Sequence, residues 1–340
     1  MKLAILDDYQ SIATSIVDWS EIKGLNVVSF DDHVFDPEAL VARLSDFDVV
    51  MRIRERTEFP RAVLEKLPKL KLLLATGMRN ARSIDLAAAD ELGITVSTTD
   101  ALHQTTVEVT WMLILALFRG FLEEVGSVRK GGWQRGLGVG LDGKTLGVLG
   151  LGNMGQPVAK IAQVFGMHVI AWSPNLTPER TKPHDVECVS KEDLFKRSDA
   201  ITLHVPHAKE TEGLVGAHEL SLMKTGAYLI NTSRPKIVDE EPFIAALTNQ
   251  SIGGAGLDVF NIEPLPDDHP FRLLPNVIST PHIGFVTKEN YQIFYQESLE
   301  NLKAFVDGKP IRVVSAAEPF LPDSQVASQM HRQGGKASTA

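Results

Sequence analysis

The chain has 340 residues, of which 44% are hydrophobic and 23% are charged, with a net charge of −9 and a pI near 5.6. This acidic balance, without a dense Lys/Arg stripe, argues against non-specific binding to nucleic acid, and the single cysteine, Cys188, excludes an internal disulfide. The length predicts two domains, and the composition is that of an ordinary globular protein.

No hydrophobic run is long enough to predict a membrane segment. The opening apolar run ends at Leu6, which is too short for a signal-peptide core, and residues 109–118 have about half the length that spans a bilayer. A lone cysteine suits a reducing compartment. We therefore expect a soluble, cytoplasmic protein.

The first hundred residues alternate short apolar runs with helical patterns. Strands are predicted at residues 3–6, 26–30, 48–53, 70–76 and 94–99, and helical patterns at 37–44 and 83–92. This alternation predicts a parallel sheet with helices on both faces.

A long helical stretch, from about residue 105 to 129, comes next. Its most apolar part, residues 109–118, is expected to be buried on most sides, within a domain or against a partner subunit. A second alternating series follows a glycine-rich loop, with strands predicted at residues 145–150, 168–172, 200–205, 226–232, 254–260 and 276–282. Six strands in this arrangement are typical of a dinucleotide-binding sheet. Residues 287–306 then predict one amphipathic helix, and the tail from residue 319 is polar with little expected structure.

The pattern G-x-G-x-x-G occurs twice, at residues 138–143 and 150–155. The first match follows "RKGGWQRGL", which has no strand pattern, so it predicts a flexible loop. The second, with Gly150, Gly152 and Gly155, lies between the apolar run "KTLGVL" and a helical pattern. A helix that starts there presents free N–H groups and a positive dipole end to a pyrophosphate. The second match therefore predicts a dinucleotide site, and a glycine turn without a ligand is the weaker alternative.

Four short motifs follow strand ends of the second series, where ligands collect in open α/β sheets. They are "HVPH" (204–207), "NTSR" (231–234), "GLDVFNIEP" (256–264) and "TPHIG" (280–284). They supply Arg234, Glu263 and His282. A guanidinium forks onto a carboxylate, and an imidazole beside a carboxylate exchanges a proton near neutral pH. Each residue alone is more often a surface ion pair, a satisfied polar group or a turn, but together they predict an active site.

These motifs, with "GLGNMG", "LHVPHAKET" and "LINTSR…VDE", stand in the order and spacing of the D-isomer-specific 2-hydroxyacid dehydrogenases, which the chain resembles from "LAILDDY" to about Val314. The resemblance implies an α/β fold of two Rossmann-like parallel-sheet domains. A nucleotide-binding domain, residues 101–285, is inserted into a flavodoxin-like substrate domain, residues 1–100 and 286–318, and a polar tail covers 319–340. It also implies that Arg234 binds the substrate, that His282 is the general acid/base and that Glu263 is its partner.

The same resemblance implies NAD or NADP as the cofactor, no metal, no nucleic-acid or membrane partner, and a homodimer with residues 107–118 in its interface. The cofactor-binding residues that we expect are Thr106, Gly150, Gly152, Asn153, Met154, Gly155, Ser173, Val205, Pro206, Thr211, Thr232, Ser233, Asp258 and Gly284.

In this family the loop after the fourth strand offers backbone N–H groups to the substrate carboxylate. Here that loop carries Gly77, Met78 and Arg79, and Arg54 follows the preceding strand. Arg54 and Arg79 would suit a substrate with extra oxygens or a second carboxylate, although solvated surface charges are the slightly favoured interpretation.

Three positions depart from the family pattern. Ser173 stands where an acidic residue usually accepts the ribose hydroxyls, so we expect NADPH to be accepted at least as well as NADH. Pro235 replaces a glycine beside Arg234, and Phe285 replaces a glycine near the expected nicotinamide, which leaves the range of substrates open.

The function predicted is that of an NAD(P)-dependent 2-hydroxyacid dehydrogenase, or 2-oxoacid reductase of the glyoxylate or hydroxypyruvate type. Two alternatives stay open at this point. One is a formate- or phosphite-type dehydrogenase on the same scaffold, and the other is a nucleotide-sensing interaction protein similar to corepressors that resemble this family.

Overall fold

The computed structural model describes residues 1–77 and 81–320. Met78, Arg79 and the tail from residue 321 lie outside these described residues. The chain divides into two compact units. The first combines Met1–Leu102 with the described residues from Thr287 onward, and the second is His103–Val286.

The first unit is built around a six-stranded sheet. Its strands are β1 (Lys2–Leu6), β2 (Asn26–Ser29), β3 (Val49–Arg52), β4 (Leu72–Ala75), β5 (Thr95–Thr98) and β13 (Val313–Val314). Its helices are α1 (Pro37–Leu44), α2 (Arg61–Leu64), α3 (Leu86–Glu91) and α12 (Lys288–Val306). The strand order is β13-β5-β4-β3-β1-β2, and only β13 is antiparallel to its neighbour. All five strands predicted in the first hundred residues are present.

The long C-terminal helix belongs to the first unit and packs against β4 and β5. The Thr287 side chain caps α12 by accepting a hydrogen bond from the Asn290 N–H at 3.3 Å. Phe294 and Leu299 are buried, as the amphipathic pattern predicts, and β4, against which the helix packs, is fully buried.

The second unit is a doubly wound sheet of seven parallel strands. The strands are β6 (Thr145–Leu149), β7 (His168–Trp172), β8 (Glu187–Cys188), β9 (Ala200–Leu203), β10 (Tyr228–Asn231), β11 (Gly254–Leu257) and β12 (Val277–Ser279). The helices are α4 (Gln104–Arg119), α5 (Phe121–Arg129), α6 (Gly155–Val164), α7 (Pro178–Thr181), α8 (Lys191–Arg197), α9 (Ala217–Leu222), α10 (Glu240–Thr248) and α11 (Pro270–Leu273). The strand order is β12-β11-β10-β9-β6-β7-β8. The six predicted strands are present, and β8, only two residues long, was missed.

The helical stretch predicted from residue 105 to 129 is present, but as two helices. It is broken at Gly120, whose φ of 58° lies in the left-handed region, and α4 and α5 meet at a bend of 69°. Most apolar side chains of α4 are already buried inside the unit. Among the described residues, no single helix has the length and apolarity of a membrane span, and only the bent pair α4–α5 passes that test of length and composition.

Candidate active site

The glycine loop occupies the carboxyl end of β6. Gly150 has a φ of 100°, and its N–H donates to the Trp172 carbonyl at 2.9 Å. A Cβ on Gly150 would lie 2.9 Å from the His204 carbonyl carbon, and a Cβ on Gly155 would overlap the Gly150 carbonyl oxygen. Both positions therefore require glycine. Gly150 is needed for its positive φ and for the close approach of the backbone at His204, and Gly155 is needed for the packing of α6 on β6.

The start of α6 fits the pyrophosphate of a dinucleotide. Met154 occupies the N-cap position, and its side chain accepts no hydrogen bond from the first N–H groups of α6. Nothing lies within 4 Å of a Cβ built on Gly152, and Asn153 beside it is exposed. The donors, the positive dipole end and the open space together suit an anion.

Hydroxyl groups fix the backbone segments around this loop. Ser233 donates to the Val205 carbonyl at 2.7 Å, and Thr211 donates to the Pro206 carbonyl at 2.8 Å. Thr232 is buried and its hydroxyl lies 2.8 Å from that of Thr110 on α4. These contacts hold the segment after β9 and the segment after β10 beside the glycine loop, where the expected cofactor-binding residues of both segments lie.

Ser173 follows directly after β7, the strand next to β6. It is half-buried, and its carbonyl accepts a hydrogen bond from the Leu176 N–H at 3.1 Å, which forms a turn. Further along, the Arg180 guanidinium donates to the Asn175 carbonyl at 2.9 Å. The position that normally carries a carboxylate for the adenosine ribose therefore carries a hydroxyl within a basic loop.

Glu263 and His282 are in direct contact. Glu263 Oε2 lies 2.6 Å from His282 Nδ1, and the two side chains are 24% and 20% exposed. The other oxygen of Glu263 accepts a hydrogen bond from the Phe260 N–H at 2.8 Å, which orients the carboxylate. The arrangement leaves Nε2 as the nitrogen of His282 that is available to a reacting group.

Asp258 fixes the turn that carries His282. Its buried carboxylate accepts hydrogen bonds from the Thr280 hydroxyl at 2.6 Å, from the Ile283 N–H at 2.8 Å and from the Gly284 N–H at 2.7 Å. Burial raises the pKa of Asp258 above its ordinary value, and the Thr280 hydrogen bond opposes the shift. His282 has a φ of 51°, a left-handed conformation that these three contacts help to maintain.

Two neighbours restrict this turn further. Phe285 is buried and meets the His282 ring edge-on at a centroid distance of 5.3 Å. Thr106 donates to the Gly284 carbonyl at 3.1 Å, and a Cβ on Gly284 would come within 3.0 Å of the Asp258 carboxylate. The phenylalanine that departs from the family pattern is thus a packing partner of the imidazole.

Arg234 follows β10. Its Nη1 donates to the Ser233 carbonyl at 2.8 Å, and the Asn231 side-chain amide donates to the Arg234 carbonyl at 3.0 Å. Pro235 begins a short 3₁₀ turn, a position where a missing N–H costs no hydrogen bond. Because β10, β11 and β12 are adjacent and parallel, Arg234, Glu263 and His282 all follow carboxyl ends at one edge of the sheet.

Arg54 and Gly77 of the first unit are close neighbours. Arg54 has a φ of 58°, is only 6% exposed and donates its N–H to the Thr76 hydroxyl at 2.9 Å. A Cβ on Gly77 would lie 2.9 Å from Arg54 Cδ and overlap its guanidinium, and the Gly77 N–H donates to the Thr99 hydroxyl at 2.8 Å. For Arg54, the interpretation as a solvated surface charge is therefore wrong. Met78 and Arg79 lie outside the described residues.

Two histidines next to the cofactor segment were not singled out from the sequence. Burial lowers the pKa of His204 to about 4, and its Nε2 lies 2.9 Å from the Thr202 hydroxyl. His207 Nε2 is buried without a hydrogen-bond partner among the described residues. The motif "HVPH" was the available signal, but it does not distinguish a buried imidazole from an exposed one.

Comparison with known proteins agrees with this geometry. Residues 111–284 match the family model of the D-isomer specific 2-hydroxyacid dehydrogenase, NAD binding domain. The chain is 39% identical over 291 residues to a glyoxylate reductase of Thermococcus litoralis, covering 81% of the chain and 86% of that enzyme.

The chain belongs to the D-isomer specific 2-hydroxyacid dehydrogenases.

Two further relatives show how far the likeness extends. A D-3-phosphoglycerate dehydrogenase of Methanocaldococcus jannaschii is 38% identical over 276 residues, which cover 80% of this chain and 52% of that enzyme, so the chain spans about half the length of that relative. The crystal structure of a putative D-3-phosphoglycerate dehydrogenase from Ralstonia solanacearum superposes with a TM-score of 0.89 at 33% identity, covering 95% of this dehydrogenase and 98% of the other chain.

The predicted family, fold class and enzyme class are thereby confirmed. This dehydrogenase is an NAD(P)-dependent oxidoreductase of the 2-hydroxyacid dehydrogenase and 2-oxoacid reductase class, which acts on the CH–OH group of small 2-hydroxy acids.

Proposed function

We propose that the dehydrogenase reduces a small 2-oxoacid of the glyoxylate or hydroxypyruvate type, with Arg234, Glu263 and His282 as its catalytic residues. The contact of 2.6 Å between Glu263 and His282 is the observation that carries the proposal. To act as an acid, His282 must carry a proton on the nitrogen that faces the substrate. A carboxylate on the opposite nitrogen stabilises the imidazolium form that carries this proton.

When bound, a reduced nicotinamide supplies the hydride to the carbonyl carbon of the substrate. His282 donates its Nε2 proton to the carbonyl oxygen, so the hydride and the proton together convert the 2-oxoacid to a 2-hydroxy acid. Glu263 holds Nδ1–H and keeps the ring in the orientation that aims Nε2 at the substrate. In the direction of oxidation, His282 takes the hydroxyl proton.

Arg234 is proposed to hold the substrate carboxylate. A guanidinium makes two parallel hydrogen bonds to a carboxylate, and Arg234 and His282 both follow carboxyl ends of adjacent parallel strands, which supports a shared role in holding and protonating the substrate. Arg54 and the N–H groups of the loop with Gly77, Met78 and Arg79 are proposed as further substrate contacts. Support for Arg54 comes from its burial against Gly77.

The cofactor-binding residues predicted from the sequence stay a proposal in their individual roles. The glycine loop and the uncapped start of α6 support Gly150, Gly152 and Gly155 as the pyrophosphate site. Ser173 supports acceptance of NADPH, since a carboxylate there would repel the 2′-phosphate and a hydroxyl does not. We propose that NADPH is used at least as well as NADH.

A homodimer is also proposed. Apolar side chains are exposed on α5 and on the arm that follows it, including Phe121, Trp133 (73% exposed) and Leu137 (100% exposed). Several exposed apolar side chains within one stretch of the chain support an interface. We further propose that His103–Val286 is the nucleotide-binding domain, that the other unit binds the substrate, and that the enzyme works in the cytoplasm, since its one cysteine is unpaired.

A panel of 2-oxoacids, assayed with NADH and with NADPH, tests the reaction. Turnover of glyoxylate or hydroxypyruvate is expected, and His282→Ala should lower kcat by about two to four orders of magnitude while the cofactor dissociation constant stays unchanged. Near-normal turnover in this variant would show that His282 does not carry the proton. Activity on formate alone would favour the formate-type alternative, and cofactor binding without any turnover would favour an interaction protein.

A further inference from the structure

Three arginines alternate along the end of β3 and the turn after it, and among the described residues Arg54 is the one that packs on Gly77. Arg52 is buried, donates to the Thr57 carbonyl at 3.0 Å and also to the Arg82 carbonyl, so it is used within the fold. Arg56 lies over the Tyr9 ring, 4.6 Å from its centroid. Arg54, between them, packs on Gly77.

The backbone of Arg54 is strained. Its φ of 58° is left-handed, a conformation that is unfavourable for an arginine and persists only where the surroundings enforce it. On one side, Thr76 accepts the Arg54 N–H. On the other side the chain continues through Glu55 to Arg56 and Thr57, so something must hold these two residues in place.

Asp7, which follows β1, contacts both of them. Its carbonyl accepts a hydrogen bond from Arg56 Nη1 at 3.0 Å, and its carboxylate accepts one from the Thr57 hydroxyl at 2.7 Å. The same carboxylate lies 2.8 Å from His33 Nδ1 and accepts a longer bond of 3.4 Å from the Tyr9 hydroxyl. Asp7 is buried and is itself left-handed, with a φ of 59°.

Asp8, the next residue, is equally buried but serves a different segment. Its carboxylate accepts hydrogen bonds from the Ile12 and Ala13 N–H groups at 3.1 and 3.0 Å and from the Ser29 hydroxyl at 2.7 Å. None of these partners belongs to the turn of residues 53–57. Of these two adjacent buried carboxylates, Asp7 is the one that accepts a hydrogen bond from Thr57.

We propose that Asp7 is a positioning residue for substrate binding: through Arg56 and Thr57 it holds the turn of residues 53–57 in the conformation that presents the Arg54 guanidinium at Gly77. The inference rests on the proposed function, in which Arg54 and the Gly77 loop contact the substrate. Asp7 touches neither substrate nor cofactor in this scheme. Its effect reaches the reaction only through the conformation of Arg54.

The experiment is a double-mutant cycle of Asp7→Ala and Arg54→Met, with steady-state kinetics on the best 2-oxoacid and a direct titration of the cofactor. Asp7→Ala is expected to raise KM about tenfold, to change kcat by less than about threefold and to leave the cofactor dissociation constant unaltered. In the Arg54→Met background the same change should add nothing to KM. Asp7→Asn, which keeps an acceptor and tolerates the left-handed backbone, should restore most of the affinity.

Asp8→Ala is the matched control, with a similar loss of melting temperature expected and an unchanged KM. If Asp7→Ala and Asp8→Ala lower the melting temperature alike and neither moves KM, Asp7 is only a structural residue and the inference is overturned. If Arg54→Met leaves KM unchanged, the proposed role of Arg54 falls, and the inference with it. If Asp7→Ala does not fold, Thr57→Val removes one of the two contacts, and an unchanged KM in that variant would equally overturn the inference.

Discussion

The contact between Glu263 and His282 allows one quantitative prediction. In Glu263→Gln the side-chain carbonyl oxygen still accepts a hydrogen bond from the Phe260 N–H, so the loop stays folded. The amide NH2 group replaces the carboxylate oxygen that lies 2.6 Å from His282 Nδ1. The imidazolium then loses a charge-assisted hydrogen bond, of which the usual worth is about 1.5–3 kcal/mol. Because both side chains are about one fifth to one quarter exposed, we expect the lower part of that range, about 1.5–2 kcal/mol.

That free energy corresponds to a loss of about ten- to thirtyfold in kcat for reduction of the 2-oxoacid. The assay follows oxidation of the reduced nicotinamide by absorbance, and a titration of the cofactor checks that its binding is unchanged. A second His–Glu pair in the same unit gives a matched control. His269 Nε2 lies 3.6 Å from Glu240, with side chains 15% and 32% exposed, and Glu240→Gln should leave kcat unaltered. A Glu263→Gln enzyme within about threefold of wild type, or an equal loss in the control, would refute the reasoning.

Three further predictions concern the substrate anchor, the cofactor and stability. Arg234→Lys should cost at least about 1.5–3 kcal/mol in kcat/KM, because lysine lacks the planar fork, and an unchanged kcat/KM would place the carboxylate anchor elsewhere. Ser173→Asp should shift the ratio of kcat/KM values about tenfold towards NADH, and a wild type already strongly selective for NADH would contradict the role given to Ser173. Burial holds the pKa of His204 at about 4 against an ordinary value of 6.5. The stability of the folded state that depends on a neutral His204 is therefore fully present above pH 6.5 and is lost as the pH falls towards 4. In urea unfolding between about pH 6.5 and pH 5, the wild type should lose about 1.6 kcal/mol more than His204→Gln, and parallel losses would exclude this effect of His204.

Much of the fold was predictable because periodicity reports burial, and burial decides these elements. The run "LLLA" of β4 and the repeat of α12 each carry enough apolar residues to identify a strand or a helix. The short edge strand β8 has two residues and no such signal. The break at Gly120 was missed because the apolar pattern continues through it, and only a left-handed backbone distinguishes a cap from a helical glycine.

The site divides in the same way. Arg234, Glu263 and His282 were predicted from residue type and from their position after strands, and the contact between Glu263 and His282 agrees with that prediction. The burial of Arg54 was not, because burial of an arginine depends on Gly77 and Thr76, more than twenty residues away in sequence. The contacts of Asp7 with His33 and Thr57 are likewise set by the register between β1 and its two neighbours. Sequence patterns along one segment carry no information on such pairings.

The position of α12 has a consequence for synthesis of the chain. A ribosome releases β1 to β5 first, then the whole of residues 103–286, and only afterwards the helix that covers β4 and β5 and the strand that closes the sheet beside β5. The leucines of β4 therefore remain without part of their final cover while the second unit is made. That unit is contiguous and completes its own sheet during translation, so it is the first half of the protein able to reach its native state.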